Sequence, residues 1–203
     1  IPIKQFLKDE GCWYERFIKI SADKNLSYIK KRINIKSLEK KFNFKISEKQ
    51  KFIEYSPLGL KYLKDILKII KKDKGGLLII DYGYFAEKMR NTLKAIHKKK
   101  HSKVLENVGR SDITYNINFY LIDKIVKNLN KFDIYYTSQK KFLANLGIHQ
   151  RAEIISKNKT FSEKTDIFYR LKRLTDENEM GKLFKVMLIK NFDNKSQIGF
   201  QNC

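Results

Sequence analysis

The sequence carries the run GGLLIIDYG at residues 75–83. Four apolar residues, Leu77–Ile80, follow one another without alternation, which predicts a β-strand buried on both faces, as in a parallel sheet. Gly75 and Gly76 suit the left-handed position that ends a helix. A helix that ends at two glycines and is followed by such a strand is typical of a doubly wound unit. The run therefore predicts an α/β fold.

The predicted helix before this run begins at Ser56 and Pro57, because Ser is a preferred N-cap and Pro suits the first helical position. Its apolar face is predicted from residues at helical spacing, Leu60, Leu63, Leu67 and Ile70. Further upstream, the β-prone runs at residues 13–20 and 26–33 predict a β-hairpin with a five-residue loop. Residues 36–51 predict a charged connector with little regular structure.

Downstream, the pattern predicts helices at 119–129, 139–157 and 162–174 and strands at 132–137 and 183–189. The core of this part is predicted from Phe142, Leu146, Ile155 and Phe168. The polar tail after Asn191 is expected to fray.

The chain has 44 Lys and Arg against 22 Asp and Glu, a formal charge of +22. Such a field attracts polyanions. However, only seven of these residues are Arg, the residue that reads bases through its planar fork. An AT-rich coding sequence also gives abundant Lys, Ile and Asn, so the charge leaves a nucleic-acid role open. Two cysteines, Cys12 and Cys203, exclude a disulfide framework, and no apolar run is long enough for a membrane span.

Asp81 is the strongest candidate site residue, because ligands of open α/β sheets bind beyond the carboxyl ends of the strands. The alternative, that Asp81 only bonds the backbone of its own turn, stays open. Asp112 and Thr114 are interpreted first as caps of the helix that begins near Phe119. No metal site is predicted.

His97 and His101 do not change that prediction, because no carboxylate lies between them as in a zinc-binding HExxH helix. The nine glycines form no Gly-x-Gly turn between a strand and a helix. The chain therefore has no recognisable dinucleotide, ATP or S-adenosylmethionine loop, and no cofactor-binding residues are identifiable. The chain alone is not expected to bind S-adenosylmethionine.

Several phrases, in order and spacing, resemble the C-terminal half of the MidA family, the mitochondrial complex I assembly factor methyltransferases. They are Pro2-Ile3-Lys4-Gln5-Phe6, Trp13-x-Glu15-Arg16, Glu54-x-Ser56-Pro57, the run at 75–83, Thr92-Leu93 with Ala95, Asp112-Ile113-Thr114 with Phe119, Gln139-x-x-Phe142-Leu143-x-x-Leu146-Gly147-Ile148, Arg173-Leu174-Thr175, and Met180-Gly181-x-Leu183-Phe184-Lys185-Val186.

The resemblance implies the C-terminal part of a Rossmann-like class I methyltransferase that uses S-adenosylmethionine. The implied acceptor is an arginine on a core subunit of respiratory complex I, and the implied compartment is the bacterial cytoplasm or the mitochondrial matrix. The glycine-rich cofactor loop of the family lies upstream of the position that matches Pro2. We therefore expect a fragment that lacks the cofactor-binding half and is inactive alone.

On this basis, residues 1–191 are predicted to form part of one methyltransferase domain, with a hairpin insertion at 13–33, a helical insertion at 139–174 and a polar tail at 192–203. Its mixed sheet would hold residues 77–81, 132–137 and 183–189 as the fifth, sixth and seventh strands, the last antiparallel.

Asp81 is predicted to be the catalytic carboxylate, because carboxylates hold a guanidinium in a bidentate pair. The predicted substrate-binding residues are Asp81, Tyr82, Asp112, Thr114 and Gln5.

The alternative function is a non-enzymatic basic module that binds RNA or an acidic protein surface. That alternative predicts Tyr135 and Tyr136 exposed for stacking. The methyltransferase interpretation places both tyrosines in a sheet and predicts an exposed apolar surface, a protein substrate and no specific nucleic acid. The oligomeric state is left open.

Overall fold

The computed structural model describes residues 2–192 and 197–201. The strands are β1 Lys4–Asp9, β2 Cys12–Ile20, β3 Leu26–Ile33, β4 Phe52–Tyr55, β5 Gly76–Tyr84, β6 Lys94–His97, β7 Lys100–Ser102, β8 Asp112–Thr114, β9 Ile117–Asn118, β10 Phe132–Ser138 and β11 Phe184–Asn191. The helices are α1 Ile35–Phe42, α2 Pro57–Asp73, α3 Phe119–Lys127, α4 Gln139–Asn145, α5 Ile148–Ser156, α6 Phe161–Thr175 and α7 Met180–Leu183, with a short 3-10 helix at Ile46–Glu48. The fold is therefore a mixed α/β fold.

The chain forms two compact units. The first comprises Ile1–Asp65 and Phe85–Asn128, and the second comprises Ile66–Tyr84 and Leu129–Cys203. The boundaries of the predicted single domain and of its insertions stay a prediction.

In the first unit, an antiparallel sheet has the strand order β3-β2-β1-β4. The predicted hairpin is confirmed: β2 and β3 pair from Trp13 opposite Ile33 to Ile20 opposite Leu26. The core combines residues of this sheet with α1 and α3, namely Phe6, Trp13, Leu38, Phe42, Ile46, Ile53, Tyr55, Leu121 and Ile125.

The prediction of a connector with little regular structure at 36–51 is wrong, because α1 and the 3-10 helix lie there. Asn34 caps α1 by accepting a hydrogen bond from the backbone N–H of Lys36 at 3.1 Å, and Leu38 and Phe42 of this helix are buried. The many lysines obscured a short apolar face, since lysine side chains cover such a helix on its solvent side.

The predicted start and apolar face of α2 are confirmed. The Ser56 hydroxyl accepts a hydrogen bond from the Gly59 N–H at 3.0 Å, and Leu63, Leu67 and Ile70 are buried. After the helix, however, the left-handed residue is Lys74, with φ 57°, and not either of the two glycines.

In the second unit, three strands lie side by side in the order β10-β11-β5. Strand β11 is antiparallel to both neighbours, so β5 and β10 run parallel to each other. Phe142 of α4 packs on Val186 of β11 and on Phe200, and all three are buried. The predicted antiparallel last strand is thus observed, although it begins at Phe184.

The prediction that β5 is buried on both faces is wrong, because the described residues leave one face of this strand partly exposed. Leu78, Ile80 and Tyr82 are 46, 46 and 41% exposed, whereas Leu77 and Ile79 are half-buried. An apolar run without alternation does not reveal whether a second layer covers both faces.

The predicted helix at 139–157 is two helices, because Gly147 adopts a left-handed conformation, with φ 80°, between α4 and α5. Leu146, Ile155 and Phe168, predicted as core residues, are 46, 40 and 44% exposed. Of the predicted core residues in this region, Phe142 is buried as expected.

The tail is anchored where the structure describes it, so the expected fraying is wrong there. Phe200 is 2% exposed, and the Asn145 side chain donates hydrogen bonds to the carbonyls of Gly199 and Gln201 at 3.1 and 3.0 Å. Residues 193–196, 202 and 203 lie outside the described residues. Within residues 2–192 and 197–201, no helix is long and apolar enough to cross a membrane.

Helix α6 begins with a capping box whose stability should depend on pH. Glu163 accepts hydrogen bonds from the backbone and the hydroxyl of Thr160 and from Lys159, which lowers the pKa of its carboxyl to about 2 from 4.5. The contribution of this carboxylate is therefore complete above pH 4.5 and is lost as the pH falls towards 2. We expect the free energy of unfolding of Glu163→Gln to fall less than that of the wild type as the pH is lowered from 4.5 to 2. Urea unfolding followed by circular dichroism measures this free energy at each pH. Glu153→Gln, on the exposed side of α5, should keep the wild-type slope, and equal slopes in all three proteins would contradict the expectation.

Candidate functional site

Gln5, one of the predicted substrate-binding residues, lies in a buried polar cluster of the first unit. Strand β1 places it opposite Glu54 of β4, and its Nε2 donates to Glu54 Oε2 at 2.5 Å. Glu54 Oε1 accepts from the backbone N–H of Thr92 at 3.1 Å and also from the Thr92 hydroxyl. Gln5, Glu54 and Thr92 are each about 5% exposed. We call these three residues the Glu54 cluster.

The half-buried Arg16 and the exposed Asn91 extend this cluster towards solvent. Gln5 Nε2 also donates to Asn91 Oδ1 at 2.9 Å, while Gln5 Oε1 accepts from Arg16 Nη1 at 3.0 Å. The Arg16 guanidinium lies 4.9 Å from the centre of the Tyr28 ring. The donors that Gln5 and Thr92 offer to the buried Glu54 carboxylate are neutral groups, and the amide of Gln5 connects this carboxylate to the Arg16 guanidinium.

Asp112 and Thr114 are not helix caps, so that interpretation is wrong. Both are exposed on β8, which pairs with β6. The cap of α3 is Asn118, whose Oδ1 accepts from the Leu121 N–H at 3.2 Å. The sequence before Phe119 holds several residues that can cap a helix, and residue type alone does not tell which of them is the cap. Asn118 takes that position, so Asp112 and Thr114 are left to form a strand.

In the second unit, the strand register places Asp81 in a row of polar residues. Lys185 of β11 lies opposite Asp81 of β5 on one side and opposite Ser138 of β10 on the other. Residues directly opposite in a sheet project from the same face with Cβ atoms about 5 Å apart. We call Asp81, Lys185 and Ser138 the strand-end row, because β5 and β10 have their carboxyl ends at this edge of the sheet.

Asp81 lies within β5 and not at its carboxyl end as predicted, since the strand continues to Tyr84. Its Oδ1 accepts a hydrogen bond from the Tyr82 N–H at 2.7 Å, as the alternative interpretation proposed. The side chain is only half-buried, and among the described residues no ion pair of Asp81 is found within 4.0 Å. Among residues 2–192 and 197–201, no cation pairs with Oδ2.

Tyr82 projects from the opposite face of β5. Its ring packs on Phe184 of β11 with the ring centres 4.0 Å apart. Tyr82 thus contributes to the exposed apolar face with Leu78 and Ile80, and it does not share a face with Asp81.

A cleft of about 560 Å³ adjoins the strand-end row. It is lined by Tyr136, Thr137, Ser138, Lys140, Lys141, Glu177, Gly181, Lys182 and Lys185. Burial, and then the charge of Lys182, lower the pKa of Lys185. Burial raises the pKa of Tyr136 to about 12, so its phenol carries no negative charge at neutral pH. We call this feature the lysine cleft.

The predicted site residues thus lie in separate places. The first unit holds Gln5 in the Glu54 cluster and Asp112 and Thr114 on an exposed strand. The second unit holds Asp81 and Tyr82 on opposite faces of one strand. In residues 2–192 and 197–201, no three His, Cys, Asp or Glu side chains are grouped to hold a metal ion.

Sequence reasoning did not assign a role to Glu54, Thr92 or Lys185. A glutamate inside the apolar strand β4, two residues before the helix cap Ser56, was the available signal for Glu54. No local signal marks Lys185, because its position depends on pairing with residues distant in the sequence.

The model of the family "Putative S-adenosyl-L-methionine-dependent methyltransferase" matches residues 1–137. Two curated relatives agree with that match. "Protein arginine methyltransferase NDUFAF7 homolog, mitochondrial" of Caenorhabditis elegans is 28% identical over 155 residues, which are 74% of this chain and 36% of the relative. "Protein arginine methyltransferase NDUFAF7, mitochondrial" of Xenopus tropicalis is 25% identical over 139 residues, 68% of this chain and 32% of the relative.

Solved structures give the same fold. A Burkholderia thailandensis protein bound to S-adenosyl-homocysteine superposes with a TM-score of 0.78 at 19% identity, covering 100% of this chain and 53% of that protein. The chain belongs to this methyltransferase family, the MidA family. It spans about a third of the length of the two curated relatives.

The Glu54 cluster should be sensitive to loss of the carboxylate. In Glu54→Gln, one acceptor oxygen becomes a donor that faces either Gln5 Nε2 or Thr92. Gln5 cannot rotate its amide to compensate, because its own Oε1 accepts from Arg16. We expect a loss of about 1–3 kcal/mol in the free energy of unfolding. Trp13, the single tryptophan, is buried in the core of this unit and reports unfolding by fluorescence.

Glu106→Gln is the matched control in the same unit. Glu106 is exposed and pairs with Lys103 at 3.0 Å, and exposed pairs contribute little to stability. We expect Glu54→Gln to unfold at a lower urea concentration than Glu106→Gln. Unfolding of both proteins at the same urea concentration would contradict this expectation.

Proposed function

We propose that the whole protein to which this chain contributes transfers a methyl group from S-adenosylmethionine to an arginine of a protein substrate. The observation that supports this proposal most is Asp81, a half-exposed carboxylate at the carboxyl edge of parallel strands, in a chain of the MidA methyltransferase family. The names of the two curated relatives support arginine as the acceptor.

Asp81 has the chemistry that an arginine acceptor needs. A carboxylate holds a guanidinium fork through charge-assisted hydrogen bonds, and this fixes the orientation of the nitrogen that receives the methyl group. When bound, the cofactor supplies that methyl group. The acceptor nitrogen would gain the methyl group and lose a proton to water, with S-adenosylhomocysteine as the leaving group. The negative charge of Asp81 would stabilise the cation while the new N–C bond forms. Asp81 is therefore proposed to be the catalytic carboxylate.

We assign donor binding to a region that this chain does not contain. The chain has no Gly-x-Gly turn, and it covers 53% of the related structure that holds S-adenosyl-homocysteine. The apolar face formed by Leu78, Ile80 and Tyr82 is exposed within the second unit. We propose that the remainder of the whole protein packs on this face, since large exposed apolar surfaces mark interaction sites.

We further propose that the protein acts on a core subunit during assembly of respiratory complex I, in the mitochondrial matrix or the cytoplasm of a bacterium. The mitochondrial names of the two relatives support the first compartment. The RNA-binding alternative finds less support, because Tyr135 and Tyr136 are half-buried in β10 and their rings do not form an exposed stacking surface.

Asp81→Asn tests the proposal in the whole protein. The amide keeps the size of the side chain but loses the charge that pairs with a guanidinium. We expect the rate of transfer from radiolabelled S-adenosylmethionine to fall at least roughly tenfold, the equivalent of about 1.4 kcal/mol of transition-state stabilisation. Mass spectrometry of the labelled product should find methylarginine.

Asp166→Asn serves as the control, because Asp166 is an exposed aspartate of α6 that pairs with Arg170. The control should transfer methyl groups at the wild-type rate. An Asp81→Asn protein with wild-type activity would remove Asp81 from the mechanism, and a wild-type product methylated elsewhere than on arginine would overturn the proposed acceptor.

A further inference from the structure

The lysine cleft concentrates positive charge beside the proposed catalytic carboxylate. Its lining includes the four lysines Lys140, Lys141, Lys182 and Lys185 but one acidic residue, Glu177. Glu177 pairs with Lys140 at 2.8 Å. For Lys141, Lys182 and Lys185, no carboxylate of the described residues is found within ion-pair distance. The cleft therefore carries uncompensated positive charge.

The charge of the cleft is held in place by the fold. Lys185 extends from β11 and is half-buried, and its ammonium donates to the carbonyl of Lys182 at 2.5 Å. Burial and the neighbouring Lys182 both disfavour its charged form and lower its pKa. An anionic partner would relieve this repulsion. Asp176 and Glu179 lie on the turn next to Glu177 but do not line the cleft.

The cleft favours carboxylates over nucleic acid. It contains no arginine, the residue whose planar fork suits phosphate and bases. Its aromatic residue, Tyr136, is half-buried in β10 and does not present a free ring face for a base. Flexible lysines pair readily with the side chains of Asp and Glu.

We propose that the lysine cleft binds an acidic segment of the protein substrate, next to the arginine that is methylated. This inference rests on the proposed function. Lys185 lies directly opposite Asp81 in the sheet, at a Cβ spacing of about 5 Å. Strand β5 therefore presents a carboxylate to the arginine. Lys185 of β11, together with the cleft lysines of α4 and α7, presents ammonium groups to adjacent acidic residues. The substrate class is an arginine flanked by Asp or Glu.

Peptide binding to the 203-residue chain tests the inference without methyl transfer. The probe is a fluorescein-labelled ten-residue peptide with one central arginine between glutamates, and fluorescence anisotropy at low salt measures its affinity. The reference peptide has glutamine in place of every glutamate. We expect the acidic peptide to bind at least tenfold more tightly than the reference. Equal affinities would overturn the proposal.

The paired variant Lys141→Gln with Lys182→Gln removes two exposed charges of the cleft. The matched control, Lys157→Gln with Lys172→Gln, removes two exposed charges elsewhere in the second unit. The cleft pair should weaken acidic-peptide binding at least fivefold, and the control pair less than twofold. Lys185→Gln should weaken binding as well, with circular dichroism to verify its fold. Equal losses in both pairs would show a diffuse charge effect and overturn the proposal.

A single-stranded RNA of ten nucleotides is the competing ligand. The proposal fails if this RNA binds more tightly than the acidic peptide and if the paired change of Lys141 and Lys182 also weakens RNA binding. Methyl transfer by the whole protein is measured separately. Transfer without cleft-dependent peptide binding would refute this inference alone, and cleft-dependent binding without any methyl transfer would refute the proposed function.

Discussion

The position of strand β11 between β5 and β10 is the constraint on which the second unit depends. Because β11 is antiparallel to both neighbours, it brings together the carboxyl ends of β5 and β10, which are distant in the sequence. Side chains alternate along a strand, so a slip of one residue would move Asp81 and Lys185 to opposite faces. Val186, Met187 and Ile189 of β11 are inaccessible to solvent, so apolar side chains hold this central strand on both faces of the sheet.

The first unit uses a different kind of constraint, a buried carboxylate. Glu54 is surrounded by donors from Gln5 and Thr92, and a buried charge of this kind is tolerated only when its hydrogen bonds are satisfied. The cluster therefore fixes the segment at Asn91 and Thr92 relative to β1 and β4. Its contribution is positional, since it holds loops and strands of this unit in one arrangement.

The sequence predicted the elements whose signal is local. The hairpin of β2 and β3 and the start of α2 at Ser56 follow from turn length, caps and periodicity, and both are confirmed. Burial was harder to predict: β5 has an exposed apolar face because burial depends on which layers cover a strand. Asp81 was predicted as a site residue from its place at the end of an apolar run, and that role stays a prediction. Lys185 was not predicted, because its position opposite Asp81 comes from pairing between distant strands.

Cross-linking by paired cysteines tests the register of β11 most directly. In a Cys12→Ser and Cys203→Ser background, the pair Tyr82→Cys with Phe184→Cys replaces two residues that lie directly opposite each other. Opposite residues of antiparallel strands have Cα atoms about 5 Å apart, within the range of a disulfide. The register predicts that this pair oxidises to an intramolecular cross-link, measured by mass spectrometry, whereas Asp81→Cys with Phe184→Cys does not. Cross-linking of the second pair in preference to the first would contradict the register, and with it the placement of Asp81 beside Lys185.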